Sequence, residues 1–168
     1  MLLLVCALCV LSVKTLRAQD TSTPEERQNW AEISHKLETD PLNPDLNRQA
    51  ADVLKRVIEV KDIHIVVCGD AFEQMHGVGK KLHNEATMLF MLGDAAFVVQ
   101  HPDQSANVAG VNLAGLDSVT KAYQVILTQS PHDRDKILDH LLEAQKSGTL
   151  AMDIQRKCAN TPTPAAAN

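Results

Sequence analysis

The chain has 168 residues, a length typical of one domain, and a net charge of −5 at neutral pH. Aromatic residues make up only 3% of it, so aliphatic residues must supply the core, and that mixture favours packed helices. Binding to a nucleic-acid backbone needs clustered lysine and arginine. Basic residues such as the doublet Lys80–Lys81 form no extended cluster, so we expect no nucleic-acid partner.

Residues 1–18 are predicted to be a signal peptide. The run from Leu2 to Val13 is almost wholly apolar. It is shorter than the ~20 residues that a membrane-spanning helix needs, but it suits the hydrophobic region of an export signal. Cleavage after Ala18 would give a periplasmic or secreted protein without a stable membrane span. The alternatives are a buried N-terminal helix and a lipid anchor at Cys6 or Cys9.

Two cysteines, Cys68 and Cys158, remain in the predicted mature chain. An even number of cysteines in an oxidising compartment predicts a disulfide. The alternative is a pair of independent buried thiols. Redox catalysis is disfavoured, because the only Cys-x-x-Cys spacing, Cys6 to Cys9, lies in the segment that we expect to be removed.

A single all-helical domain is predicted over residues 24–158. Thr23 can cap the first helix, Pro24 suits its first position, and Glu26 completes a capping box. Asn43 and Pro44 start the second helix in a similar way. The expected buried residues of these two helices are Trp30, Ile33, Leu37, Leu46, Ala50, Val53, Leu54 and Val57.

The run Ile63–Cys68 is β-branched, and local propensity would make it a strand. The chain has no second run of this kind, and a lone strand leaves its backbone groups unsatisfied. We therefore expect it either to continue the second helix or to form a packed extended connector. Asp70 is expected to cap a short helix that reaches Met75, and Gly77–Gly79 is expected to be a flexible turn.

The longest periodic stretch, Leu82–Pro131, predicts an antiparallel pair of helices at the centre of the fold. It is divided by a short polar break at residues 101–107. Small residues such as Gly93 and Gly115 would let the two backbones approach closely. After this pair, Ser130 and Pro131 are expected to start the fifth helix.

The C-terminal part of the chain predicts two shorter helices. The apolar residues expected to face the core are Ile137, Leu138, Leu141, Leu142, Ala144, Leu150, Ile154 and Cys158. Gly148 should separate the two helices, and residues 159–168 should be a disordered tail. The predicted fold class is therefore all-α, with about five to six helices in antiparallel hairpins, as a repeat-like array or an irregular bundle.

Part of the central pair resembles a tetratricopeptide repeat. Ala122–Tyr123, Ile126–Leu127 and Pro131 match the pattern of that family's second helix, and Leu92–Gly93 with Ala96 and Phe97 resembles the first. The connection between the two helices is longer than in a standard repeat. The resemblance implies stacked helix pairs that bind a protein or peptide on a concave face.

Over its whole length the chain is similar to small exported bacterial proteins of unknown function. The resemblance rests on the exported helical layout, the run Val66–Cys68, the break His101–Asp103, and the helix that carries Leu113–Gly115 and Lys121–Gln124. It implies no particular activity.

The best metal-ligand candidates are Glu73, His76 and His83. Glu73 and His76 have the i, i+3 spacing of di-iron helical bundles, but such a site needs a second copy of the motif. No nucleophile elbow or phosphate loop is present in the sequence. We therefore expect no cofactor and no enzymatic activity. The leading hypothesis is an exported scaffold that binds a protein or peptide beside the central pair. The first alternative is a small metal- or ligand-binding bundle that uses Glu73, His76 and His83, and a less favoured one is a hydrolase or other enzyme whose site the sequence does not reveal.

Overall fold

The structure is a computed structural model that describes residues 20–80 and 82–163. The predicted signal peptide and the last five residues of the predicted tail lie outside the described residues. Within the described part the chain is all-α, as predicted, with seven α-helices, one 3-10 helix and no strand. None of the described helices is both long and apolar enough to cross a membrane.

The α-helices, in chain order, are α1 (Pro24–Thr39), α2 (Pro44–Glu59), α3 (Gly69–Glu73), α4 (His83–Gln100), α5 (Val108–Gln129), α6 (Lys136–Lys146) and α7 (Thr149–Cys158). The 3-10 helix, Pro102–Gln104, lies between α4 and α5.

The predicted starts of α1 and α2 are confirmed. The Thr23 hydroxyl accepts the backbone N–H of Glu26 at 3.1 Å, and the Glu26 carboxylate accepts the N–H of Thr23 at 2.8 Å. The Asn43 side chain accepts two backbone N–H groups at the start of α2. Each of these caps satisfies donors that a helix leaves open at its N-terminus.

The start of α6 differs from the prediction, because the helix begins at Lys136 and not at Pro131. Asp135 is the cap, and its Oδ1 accepts the N–H groups of Ile137 and Leu138. Its other carboxylate oxygen accepts the N–H of Gly79 at 2.8 Å. Asp135 thus joins two distant segments as well as capping a helix, and this tertiary bond favours the later start.

The predicted capping role of Asp70 is wrong. α3 begins at Gly69, two residues earlier than a cap at Asp70 would place it, and its cap residue is Cys68, whose side chain makes no capping hydrogen bond. The carbonyl of Cys68 accepts the N–H groups of Ala71 and Phe72 and thereby starts the helix. The helix ends at Glu73, two residues short of Met75, and turns continue to Gly77, whose φ of +88° suits glycine.

The predicted central pair is confirmed as α4 and α5, which lie against each other at the centre of the core. α1 packs against both, α2 covers α1 and α4, and α7 packs on α5, α6 and α3. The fully buried residues of the pair include Phe90, Leu92, Leu116 and Ala122. The helices therefore form one layer of neighbours around a buried hairpin.

The backbones of α4 and α5 are closest at Gly93 and Gly115. A Cβ atom added to Gly93 would lie 2.9 Å from the Cα of Gly115 and 2.6 Å from the Oγ of Ser118. Real Cβ atoms do not approach other atoms so closely, so the crossing requires glycine at this position. The close approach also places Ser118 directly beside α4.

Residues 60–68 form an irregular connector between α2 and α3, so the second of the two expected conformations is the observed one. Asn112 on α5 holds the end of this connector. Its side-chain amide donates to the carbonyl of Val66 at 2.7 Å and accepts the N–H of Cys68 at 2.8 Å. Cys68 then forms the predicted disulfide with Cys158 at the end of α7.

Candidate functional site

A cleft of about 620 Å³ opens beside the central pair. Its walls come from α1, α4, α5 and α7, with single residues from α6 and from the 3-10 helix. The lining residues are Ala31, Ser34, His35, Glu38, Gly93, Ala96, Phe97, Gln100, Gln104, Gly110, Leu113, Ala114, Asp117, Ser118, Lys121, Gln145, Leu150 and Ala151. Most of them are small or apolar, so the cleft is wide because its walls carry few large side chains.

The cleft has two chemically different ends. Gly110 and Leu113 line it near the start of α5, and Lys121 lines it about three turns later. At ~1.5 Å of rise per residue, Gly110 and Lys121 are separated by about 16 Å along the helix. The amide side chains of Gln100 and Gln104 line the first end, and the charged side chains of Glu38, Asp117 and Lys121 line the second.

Glu38 is the central residue of the charged end. Its side chain is only 10% exposed. One carboxylate oxygen accepts the hydroxyl of Ser118 at 2.5 Å, and the other lies 3.3 Å from Nδ1 of His35 and 3.7 Å from Nζ of Lys121. A buried carboxylate is tolerated here because each oxygen has a polar neighbour.

A second carboxylate, Asp117, extends this cluster across α5 toward α6. It lies 2.9 Å from Nζ of Lys121 and also accepts a hydrogen bond from the Gln145 amide. Burial disfavours the charged form of Lys121, but the hydrogen bond to Asp117 and the charge of Glu38 outweigh it and raise the pKa of Lys121. Two carboxylates thus face one fixed ammonium, so the cluster has a surplus of negative charge.

Ser118 is poorly suited to act as a nucleophile. It is 4% exposed, and its hydroxyl is engaged by Glu38. It also lies in the interior of α5, where the backbone N–H groups are used by the helix and cannot stabilise an oxyanion. The geometry at Ser118 therefore does not support acyl transfer by this hydroxyl.

Asp94 is a buried acid beside the cleft that does not line it. The residue is 0% exposed, and neither of its carboxylate oxygens has a hydrogen-bond partner within the described part of the chain. A Cβ atom at Gly115 would overlap its Oδ1. Burial raises the pKa of the Asp94 carboxyl well above its ordinary value of 3.8, and the Gly115 backbone opposes only part of that rise.

We expect D94N to stabilise the protein at alkaline pH and to have little effect in acid. Folding raises the pKa of Asp94, so this group favours folding most below its unfolded pKa, and the benefit is lost as pH rises through the folded pKa. The expected result in urea unfolding is therefore a gain in stability at about pH 8 that shrinks toward zero at about pH 4.

The matched control is D52N, which removes an exposed carboxylate from α2. It should leave the free energy of unfolding nearly unchanged at both ends of the pH range. If D94N and the unmodified protein had parallel stability curves between about pH 4 and pH 8, the buried acid would not be the source of the pH dependence.

The structure places the predicted metal-ligand candidates at the surface. Nδ1 of His76 lies 3.7 Å from a carboxylate oxygen of Glu73, and both side chains are at least 70% exposed. His83 is the exposed first residue of α4. Within the described residues, no group of three or more His, Cys, Asp and Glu side chains is gathered in a way that could hold a metal ion.

The residues of the charged cluster were not singled out by the sequence. Asp117 and Lys121 have the i, i+4 spacing of a helix ion pair, and this signal was available in principle. Glu38 and Ser118 are separated by 80 positions, and only the packing of α1 on α5 brings them together. Comparison with family models, with curated proteins and with solved structures finds no match to this chain.

Proposed function

We propose that the protein is an exported binding protein whose cleft holds a peptide segment of a partner with a basic side chain at the charged end. The observation that carries this proposal is the cleft itself, which combines a mostly apolar lining with a carboxylate cluster at one end. Specific pockets for ligands commonly occupy ~300–1,000 Å³ and place a few polar groups in an apolar wall.

The charge of the cluster favours a cationic group. Glu38 and Asp117 together carry one more charge than Lys121 neutralises. A lysine or arginine side chain entering from the cleft would balance this surplus and would hydrogen-bond a carboxylate, which is a strong interaction in a partly dry site. An incoming carboxylate would instead face two groups of its own sign.

The opposite end of the cleft suits a peptide backbone. Gln100 and Gln104 lie on its rim, and within the described residues their side-chain amides make no hydrogen bond. An amide both donates and accepts, as a peptide group does. Between the ends, Phe97, Leu113 and Leu150 provide apolar contact for the body of the segment.

The predicted export and the resemblance to tetratricopeptide repeats are both consistent with a peptide-binding role. An exported protein would meet peptides and unfolded segments outside the cytoplasm, and an apolar groove is one of the recurring surfaces on which proteins bind a peptide. The surface beside the central pair is thus the part of the molecule where we place recognition.

We expect peptides selected from a random library to share a lysine or arginine, and E38Q to weaken their binding about tenfold or more. A hydrogen bond to a charged group contributes about 1.5–3 kcal/mol, and 1.4 kcal/mol corresponds to a factor of ten in Kd. Replacing the basic residue of the peptide by norleucine should weaken binding to a similar degree. Isothermal titration calorimetry of both changes, singly and together, measures their coupling.

E25Q is the matched control, since Glu25 is an exposed residue of the same helix and lies outside the cleft. It should bind the selected peptides as the unmodified protein does.

A second variant, A114W, places a large side chain in the cleft and should abolish binding, whereas A51W on the exposed face of α2 should not. Selected peptides that bind equally well to A114W would contradict the proposed site.

A further inference from the structure

Each of the two carboxylates at the charged end of the cleft is held in place through one of its oxygens. Oε1 of Glu38 accepts the hydroxyl of Ser118, which is itself buried. Oδ1 of Asp117 accepts the side-chain amide of Gln145, a half-buried residue of α6. These two contacts fix how each carboxylate is turned, so each one presents its other oxygen to the cleft.

The two oxygens that remain, Oε2 of Glu38 and Oδ2 of Asp117, face the same ammonium group. Nζ of Lys121 lies 3.7 Å from the first and 2.9 Å from the second. One nitrogen therefore spans two oxygens that belong to different carboxylates. Asp117 and Lys121 both line the cleft, and their side chains are 39% and 51% exposed, so a second cation can reach these oxygens from the open side.

We propose that this end of the cleft selects a lysine side chain over an arginine side chain. The inference rests on the proposed function and names the basic group that the cleft recognises. An ammonium is compact and donates three hydrogen bonds, so it can bind one oxygen from each of two carboxylates. Bound opposite Lys121, it completes an alternating set of two carboxylates and two ammonium groups without net charge.

A guanidinium is less suited to the same pair of oxygens. It is planar, and its strongest contact with a carboxylate uses two parallel N–H groups and both oxygens of that carboxylate. Ser118 engages one oxygen of Glu38, and Gln145 engages one oxygen of Asp117. Arginine would therefore have to bind without the bidentate contact that distinguishes it from lysine.

Gln145 is the positioning residue in this scheme, and removing its amide should change the selectivity. Q145A leaves Oδ1 of Asp117 without its partner on α6. Asp117 could then turn both oxygens to a guanidinium, so arginine should gain affinity while lysine gains little. Q124A is the matched control, because Gln124 is an exposed glutamine of α5 that lies outside the cleft.

Isothermal titration calorimetry tests the selectivity. The probes are the peptides selected from the random library, each synthesised with lysine, arginine or norleucine at its basic position. The lysine form should bind at least about tenfold more tightly than the arginine form, as expected for the loss of one hydrogen bond to a charged group. Q145A should lower this ratio by about threefold or more, and Q124A should leave it unchanged.

Two failures of this experiment have different meanings. An arginine form that binds as tightly as the lysine form, or a ratio that Q145A leaves unchanged, would overturn the selectivity while peptide binding in the cleft stands. A library that yields no peptide whose binding depends on Glu38 would overturn the proposed function and this inference with it.

Discussion

C68A/C158A is expected to lower the free energy of unfolding by about 4 kcal/mol. The disulfide joins residues 90 positions apart. In the chain-entropy model, closing a loop of that size removes enough freedom from the unfolded chain to stabilise the fold by about 4–5 kcal/mol. Domains have total stabilities of about 5–15 kcal/mol, so this one bond accounts for a large share.

The position of the bond indicates which region should loosen first. Cys158 ends α7, and Cys68 ends the connector and starts α3. Both cysteines are buried, since Cys68 is 1% exposed and Cys158 is 2% exposed. Without the bond, α7 keeps only its packing against α3, α5 and α6, and amide exchange there should accelerate more than in α4.

Urea unfolding with and without a reducing agent measures this effect. The reductant should destabilise the unmodified protein and leave C68A/C158A unchanged. Alanine is preferred to serine, because it leaves no unsatisfied hydroxyl in the core. A loss of less than about 1 kcal/mol would show that the disulfide contributes little beyond local packing.

G115A is expected to lower the free energy of unfolding by about 3 kcal/mol, the upper part of the usual range for overpacked cores. A Cβ atom at this position would lie 2.7 Å from the carbonyl oxygen of Phe90 and 2.9 Å from its ring, and it would overlap Asp94. The carbonyl belongs to the α4 backbone, so relief requires the two helices to separate.

The sign of this prediction depends on two opposing effects. Alanine is favoured over glycine inside a helix by about 1 kcal/mol, and the steric conflict must exceed that gain. It does so because the opposing atoms include backbone, which cannot rotate away as a flexible side chain can. Separation of α4 and α5 would also move Ser118 away from Glu38. The hydrogen bond between these two side chains at the charged end of the cleft should then be weakened or broken.

G69A is the matched control, because a Cβ atom at Gly69 has nothing within 4 Å. Its free energy of unfolding should change by less than about 0.5 kcal/mol. Thermal and urea unfolding of the two variants compare the sites directly. Equal stability of G115A and the unmodified protein would mean that the central pair can separate at no cost.

The helix starts show what local sequence can determine. Thr23 with Glu26 and Asn43 with Pro44 carry their own capping groups, so α1 and α2 begin where the sequence predicts. Caps act within one turn and need no distant partner. The buried faces also follow from local spacing, because a helix places residues three and four positions apart on one side.

The errors arise where a distant residue takes part. Asp135 rather than Ser130 precedes a helix, and Asp135 is also bonded to Gly79, 56 positions away. Cys68 rather than Asp70 precedes α3, and its N–H is bonded to Asn112, 44 positions away. Propensity alone cannot weigh such bonds, since they exist only once the helices have packed.

The sequence by itself determined the all-α class, the buried hairpin, most helix starts and the cysteine pair, because these depend on local periodicity, capping and cysteine count. Only the tertiary structure decided which charged side chains lie together in the cleft and which one is buried in the core. Glu38 joins Ser118 and Lys121 because α1 packs on α5. Asp94 is buried at the close crossing of α4 and α5, where its carboxylate oxygens have no hydrogen-bond partner among the residues that the structure describes. Such convergence has no local signature, since it depends on how whole helices pack and not on any neighbouring residue.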